Sequence, residues 1–236
     1  MSPRLPEGVR IYAIGDVHGR LDLLDALLAR IDDDLRASPV DRPIEVLVGD
    51  YIDRGPDSRG VVARLVERRR KRELVCLMGN HESFLLAFLR DPAVLRQWLP
   101  NGGLATLESY GVQVRSPTGL PIQAKLIAEE FRSKLPPEHE DFLSNLPHAF
   151  SCGDYLFVHA GIRPNVPLDR QSPDDLLWIR EEFLLSTAVF EKIVVHGHTP
   201  VARPEIRPNR IAIDTGAYFT GRLTCLVLEG ADRRFL

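Results

Sequence analysis

Five short apolar runs in this chain stop at the same kind of punctuation, a glycine set beside Asp, Asn or His. Val9–Ile14 runs into "GDVHG", Glu45–Val48 into "GDYIDRG" and Leu74–Met78 into "GNHE". Tyr155–Val158 runs into "HAG" and Ile193–Val195 into "HGHT". Runs of this length, bounded by glycine, read as buried strands. Between the first three lie helical faces, one of Leu24, Leu27, Leu28, Ile31 and Leu35, the other of Val61, Val62, Leu65 and Val66. A third helix passes through Phe84–Leu89. Strand, helix, strand, helix, strand predicts an α/β fold with parallel strands. Ligands of such sheets bind outside the carboxyl ends of the strands. Asp16, His18, Asp50, Asn80, His81, His159, His196 and His198 are therefore expected to converge.

Residues 91–147 change character. Pro92, Pro100, Pro117, Pro121, Pro136 and Pro137 surround short helical patterns such as 122–135. This stretch reads as a helical insert in a single domain of 236 residues, placed to cap the site. From His148 strands return. His148–Cys152 and Tyr155–Val158 flank Gly153-Asp154, a hairpin turn signal. Ile193–Val195, Arg210–Ile213 and Leu223–Leu228 read as a second sheet packed on the first. The basic run Arg68–Arg72 reads as a solvated helix C-terminus, where cations oppose the negative end of the dipole.

A net charge of −3 argues against a broad nucleic-acid surface. No run approaches the roughly 20 apolar residues of a membrane span, and "MSPRLPEGVR" has no apolar signal core. Cys76, Cys152 and Cys225 are scattered, as in proteins of a reducing compartment. The expectation is a cytoplasmic protein without nucleic-acid or membrane partners.

Converged Asp, Asn and His donors suit Mn²⁺, Fe or Zn²⁺ rather than a thiolate-seeking metal. Asp16 and His18 are two apart, so an extended backbone points both side chains the same way. Two metals about 3.5–4 Å apart need a shared anionic ligand, and a carboxylate can bridge.

The ordered set "GDVHG" (15–19), "GDYIDRG" (49–55), "GNHE" (79–82), "VHAG" (158–161) and "HGHTP" (196–200) resembles the calcineurin-like metallophosphoesterases. Within them it is similar to the phosphoprotein-phosphatase type, in particular to bacterial and phage serine/threonine protein phosphatases of the lambda kind. "LLWIRE" (176–181) and "IDTGAYFTGRLT" (213–224) add to that likeness. The resemblance implies a two-sheet α/β/β/α sandwich with a binuclear site at its edge. It implies that Asp16 and His18 hold a first metal, that Asp50 bridges, and that Asn80, His159 and His198 hold the second. Pro200 stands where many broader family members have a further histidine, which leaves the first metal an open position. His196 is either a neighbour of the ligands or a space-filler.

Two divalent ions, Mn first and Fe or Zn as alternatives, would hold the ester oxygens and activate a bridging water for direct attack. His81 would protonate the leaving group, oriented by Asp53. Arg54 and Arg180 would bind phosphate. Arg163 also follows His159 closely. The expected substrate is a phosphoprotein or small phosphoester, with serine/threonine phosphatase activity in front. The alternative is symmetric hydrolysis of dinucleoside polyphosphates such as diadenosine tetraphosphate. That activity needs a base pocket, and aromatics in the insert are few: Trp98, Tyr110, Phe131 and Phe142. A non-catalytic scaffold would tolerate lost ligands, and none is missing.

Overall fold

The computed structural model describes residues 3–114 and 123–236. The first half runs β1 (Val9–Ile14), α1 (Leu21–Ala37), β2 (Arg42–Leu47), α2 (Ser58–Arg69), β3 (Glu73–Cys76) and α3 (Asn80–Arg90). Short helices α4 (Leu95–Trp98), α5 (Gly103–Ser109), α6 (Ala124–Lys134) and α7 (Pro137–Ser144) follow. The second half runs β4 (Ala149–Cys152), β5 (Tyr155–Val158), α8 (Pro173–Trp178), α9 (Glu181–Leu184), β6 (Ile193–His196), β7 (Glu205–Ile206) and β8 (Arg210–Ala212). It ends with α10 (Ala217–Thr220), β9 (Cys225–Glu229) and β10 (Asp232–Phe235). The helix expected over 122–135 is α6; Ile122, Pro117 and Pro121 lie outside the described residues.

Strand order is β10-β9-β1-β2-β3 in one sheet and β4-β5-β6-β8-β7 in the other. β1, β2 and β3 are parallel, as are β5, β6 and β8. Side-chain alternation sorts each strand into two cores. Ile11 and Ala13 of β1 join Ile44, Val46, Phe157, Val195 and Ile211 between the sheets. Tyr12 and Ile14 point the other way, into a core with α1, α2 and α3. The outer face of the second sheet packs Leu156, Val158 and Val194 on Leu176, Ile179 and Phe183 of the α8–α9 region. The layers are α/β/β/α, as expected.

One expectation fails. The Leu223–Leu228 run is not in the second sheet; β9 lies antiparallel on β1 in the first, with Leu228 opposite Ile11 and Leu226 opposite Ala13. Leu226 and Leu228 face the inter-sheet core, while Cys225 and Val227 face the helices. A strand apolar on both faces fits any central position, so its sheet is chosen by tertiary packing, not by neighbours in the chain.

The helices of 91–147 pack against α2 and α3, adding Trp98, Leu107, Tyr110, Phe131 and Phe142 to that core. The basic run ends α2 in ion pairs. Arg68 is shared by buried Glu45 at 2.6 Å and Asp32 at 2.8 Å, and Arg72 also reaches Asp32. Among the described residues, no helix is long and apolar enough to cross a membrane.

Leu226 is fully buried at the centre of the inter-sheet core, whereas Leu185 is 77% exposed. Leu226→Ala should cost about 2–5 kcal/mol, and Leu185→Ala less than about 0.5 kcal/mol. Urea unfolding of the two variants checks the placement of β9; equal midpoints would contradict it.

Candidate metal centre

The carboxyl ends of β1, β2, β3, β5 and β6 deliver the expected residues to one edge of the sandwich. Asp16 and His18 follow β1, Asp50 follows β2, and Asn80 and His81 open α3. His159 follows β5, and His198 follows β6. All are buried. Two clusters keep their donor atoms within 4.8 Å of one another: His18, Asp50 and His81, and Asp50, His159 and His198. Asp50 belongs to both. Asp16 joins neither cluster; its Oδ2 accepts the His198 amide at 2.9 Å.

In two of these histidines the hydrogen bond made by Nδ1 fixes a lone pair on Nε2. His159 Nδ1 donates to the Val48 carbonyl at 2.9 Å, which leaves Nε2 a lone pair. That Nε2 lies 2.8 Å from Asn80 Oδ1, 3.2 Å from His198 Nδ1 and 3.4 Å from Asp50 Oδ1. His18 Nδ1 likewise donates to Ile52, leaving Nε2 a lone pair 3.5 Å from Asp50 Oδ2 that the Arg54 guanidinium approaches. Asp16 Oδ1 and His198 Nε2 are buried without a partner. Lone pairs held this close repel unless a cation sits among them. The acids say the same. Burial, then the charges of Asp214 and Asp50, hold Asp16 well above the usual carboxylate range. Burial and Asp50 push Asp214 up to about 6. The donor set fits a binuclear divalent metal site.

The five histidines divide by charge. Burial lowers His18 to about 3 and His198 to about 2, and lowers His159 and His196 as well. Neutral imidazoles are what a metal needs. Burial opposes the charge of His81 too, but Asp50 and hydrogen-bonded Asp53 outweigh it and raise His81 above 6.5. Burial also opposes ionisation of Asp50, yet the surrounding histidines pull it far below the ordinary carboxylate value.

Asp53 is built to serve His81. Its Oδ2 accepts His81 Nδ1 at 2.6 Å and Trp98 Nε1 at 2.7 Å, and Thr106 Oγ1 donates to its Oδ1 at 2.5 Å. The insert therefore reaches the site from beneath, through Trp98 and Thr106. Exposed Arg54 places Nη1 2.9 Å from His18 Nε2 and Nη2 3.0 Å from His81 Nε2. Exposed Arg180 donates to Thr199, next to His198. Arg163 does not turn to the site; it pairs with Asp175 and Glu182 on the surface. His196 is buried edge-on against Phe183, with Arg210 at 3.4 Å, and stands in neither donor cluster.

Sequence reasoning missed Glu82. Its carboxylate accepts the amides of Asp50 at 2.9 Å and Gly79 at 3.0 Å on one oxygen, and of Tyr51 at 2.8 Å and Ile52 at 3.3 Å on the other. It fastens the loop after β2 to the start of α3. The signal was the last letter of "GNHE", a capping-box acid with an apolar helix behind it. Trp98 and Thr106 were also missed, each being distant in sequence from Asp53, and so was Asp214.

The backbone bears the cost of convergence. Six non-glycine residues among those described have positive φ, and five are His18, Asp50, Asp53, Arg54 and His198. Such conformations cost of order 1–3 kcal/mol each and cluster at functional sites. Glycine is required where backbone meets ligand: a β-carbon at Gly79 would overlap Asp50 Oδ1, and one at Gly197 would overlap Asp16 Oδ1.

The family model for calcineurin-like phosphoesterases matches residues 9–222. Serine/threonine-protein phosphatase 1 of Salmonella typhimurium is 30% identical over 216 residues, covering 91% of this chain and 89% of the relative. An asymmetrical bis(5'-nucleosyl)-tetraphosphatase of Halalkalibacterium halodurans is 26% identical over 233 residues, covering 90% and 87%. The crystal structure of a candidate diadenosine tetraphosphatase superposes with a TM-score of 0.64 at 24% identity, over 96% of this chain and 92% of the other.

Asp50→Asn should abolish retention of both ions, since one carboxylate serves both clusters. Glu82→Gln puts an amide N–H₂ against amide donors and should weaken ion retention about 10- to 100-fold, as loss of a ligand's supporting partner does. Metal analysis after dialysis against graded chelator reads both. Wild-type retention in either variant would contradict the assignment.

Proposed function

The chain belongs to the calcineurin-like phosphoesterases, and we propose that within them it is a phosphomonoester hydrolase acting on phosphoserine and phosphothreonine in proteins. The observation that supports this best is the pairing of His81 Nδ1 with the buried Asp53 carboxylate at 2.6 Å. An alkoxide leaving from a seryl or threonyl phosphate is strongly basic and needs a proton, which a positioned acid supplies for roughly 10²–10⁴-fold in rate. The phosphate leaving from a phosphoanhydride is a weak base and needs little help. A histidine raised by Asp50 and Asp53, with Asp53 itself held by Trp98 and Thr106, suits the first task.

The ions, for which we propose manganese, would be held by Asp16, His18, Asp50, Asn80, His159 and His198, and when bound they supply Lewis-acid polarisation and a water of lowered pKa. The side chains do the rest. In its neutral form His81 donates Nδ1–H to Asp53 and accepts from Arg54 at Nε2. Protonation turns Nε2 into a donor and releases Arg54, whose planar fork is then free for phosphate oxygens. Arg180, one residue from His198 through Thr199, would bind the same anion from the other end. Asp53 keeps the imidazole aimed and stabilises its charge.

A second reading is hydrolysis of dinucleoside polyphosphates. Trp98, Tyr110, Phe131 and Phe142 are all buried in the core and, among the described residues of the insert, offer no exposed ring for a base. Two exposed aromatics do flank the centre, Tyr218 beside His18 and Trp178 beside His198. Parallel assay of a phosphoserine peptide and diadenosine tetraphosphate with added Mn²⁺ decides between the readings: the phosphatase reading expects the peptide to have the higher kcat/KM.

His81→Asn should reduce phosphoserine kcat by about 10²–10⁴-fold and para-nitrophenyl phosphate kcat far less, because a nitrophenolate leaves unprotonated. Equal losses would remove His81 as the acid. The proton is present below the pKa of His81, so phosphoserine kcat should fall as pH rises through a limb above 6.5. Asp53→Asn removes a raising influence and should move that limb to lower pH; an unmoved limb would contradict the pairing.

Arg54→Ala should weaken inhibition by inorganic phosphate without loss of bound metal. An unchanged inhibition constant would show that Arg54 does not bind the anion.

A further inference from the structure

Tyr218 and Phe219 are unexplained by the chemistry above. Both are large and apolar, and they remain 37% and 60% exposed on the single turn α10. The turn is firmly held. Left-handed glycines, Gly216 and Gly221, bracket it. Asp214 accepts the Gly216 amide, Thr220 Oγ1 donates to the Thr215 carbonyl, and Arg20 donates to the Ala217 carbonyl at 3.0 Å. The two rings meet edge to face, centroids 4.9 Å apart. Tyr218 stands edge-on to His18 at 5.4 Å, and the Arg54 guanidinium carbon lies 5.0 Å from its ring centre. Arg54 also touches His81. The exposed rings thus lie at the end of the site where the proton is delivered and from which the leaving group departs.

We propose that Tyr218 and Phe219 form a subsite for an aromatic side chain neighbouring the phosphorylated residue in the substrate polypeptide. The inference rests on the phosphoprotein reading and deepens it. Consecutive Cα atoms are about 3.8 Å apart, so a side chain one or two residues from a phosphoserine held at Arg54 reaches the adjacent Tyr218 ring. Edge-to-face and offset aromatic contacts favour a ring over an aliphatic chain by up to about ten-fold in affinity. Trp178, at the His198 end, is already packed on Phe84 at 5.4 Å.

The test uses phosphoserine peptides identical except for Phe or Ala at positions one or two residues from the phosphoserine, assayed with the Mn²⁺-loaded full chain. The expected result is a kcat/KM ratio of Phe over Ala peptide of about 3–10 at one of these positions, lost in Phe219→Ala and in Tyr218→Ala. Phe219 lies against Tyr218 and Gly216, not Arg54, so its variant separates ring binding from placement of Arg54. Inhibition by inorganic phosphate should be the same in Phe219→Ala as in wild type. A wild-type ratio near one at every position, or a ratio that survives both variants, overturns the proposal. So does a Phe219→Ala effect confined to diadenosine tetraphosphate, which would make the ring a nucleobase. Failure of the underlying reading looks different: no phosphoserine peptide would be turned over, while para-nitrophenyl phosphate still is.

Discussion

Four backbone amides, from Gly79, Asp50, Tyr51 and Ile52, close on the single buried carboxylate of Glu82. Much of the site depends on that contact. Asp50 has a left-handed backbone and sits where two donor clusters meet. Nothing in its own conformation would keep it there. Burial and the Asp50 charge push Glu82 up to about 8, against the lowering pull of His81 and of the Tyr51 and Asp50 amides. The ligand loop and its fastening are thus one electrostatic unit: the Asp50 charge raises His81 and Glu82 alike, and peptide N–H groups hold the Glu82 carboxyl in place.

From one shared fold edge the chain makes two kinds of histidine. His18, His159 and His198 are stripped of protons by burial and present lone pairs. His81 is equally enclosed but has a carboxylate on Nδ1, and the balance tips to the cation. Asp50 raises His81 most, and the hydrogen bond to Asp53, a residue not among the expected metal ligands, adds to it. Together they separate groups suited to hold an ion from one suited to move a proton.

The strand ends were legible in the sequence because each carries its own local signal, an apolar run, a glycine and a polar donor. That was enough to bring Asp16, His18, Asp50, Asn80, His81, His159 and His198 to one edge. The order of strands was less legible. β9 is apolar on both faces, and only packing assigns it to β1. The partners of Asp53 were invisible for a related reason: Trp98 and Thr106 lie some 45 and 53 positions away, and no spacing rule links them. Left-handed backbone at Arg54 has no signature either, since arginine does not favour it.

Trp98, whose indole N–H is given to Asp53, has a further consequence. The chain has two tryptophans, one enclosed against that carboxylate and the other, Trp178, set edge-on to His198 with centroids 6.0 Å apart. Indole emission is sensitive to nearby charge and to imidazole. The ultraviolet fluorescence of this protein is therefore a two-channel optical record of its reaction centre. One channel is shielded from solvent and tied to the acid side, and the other is open to quenchers and tied to the ligand side.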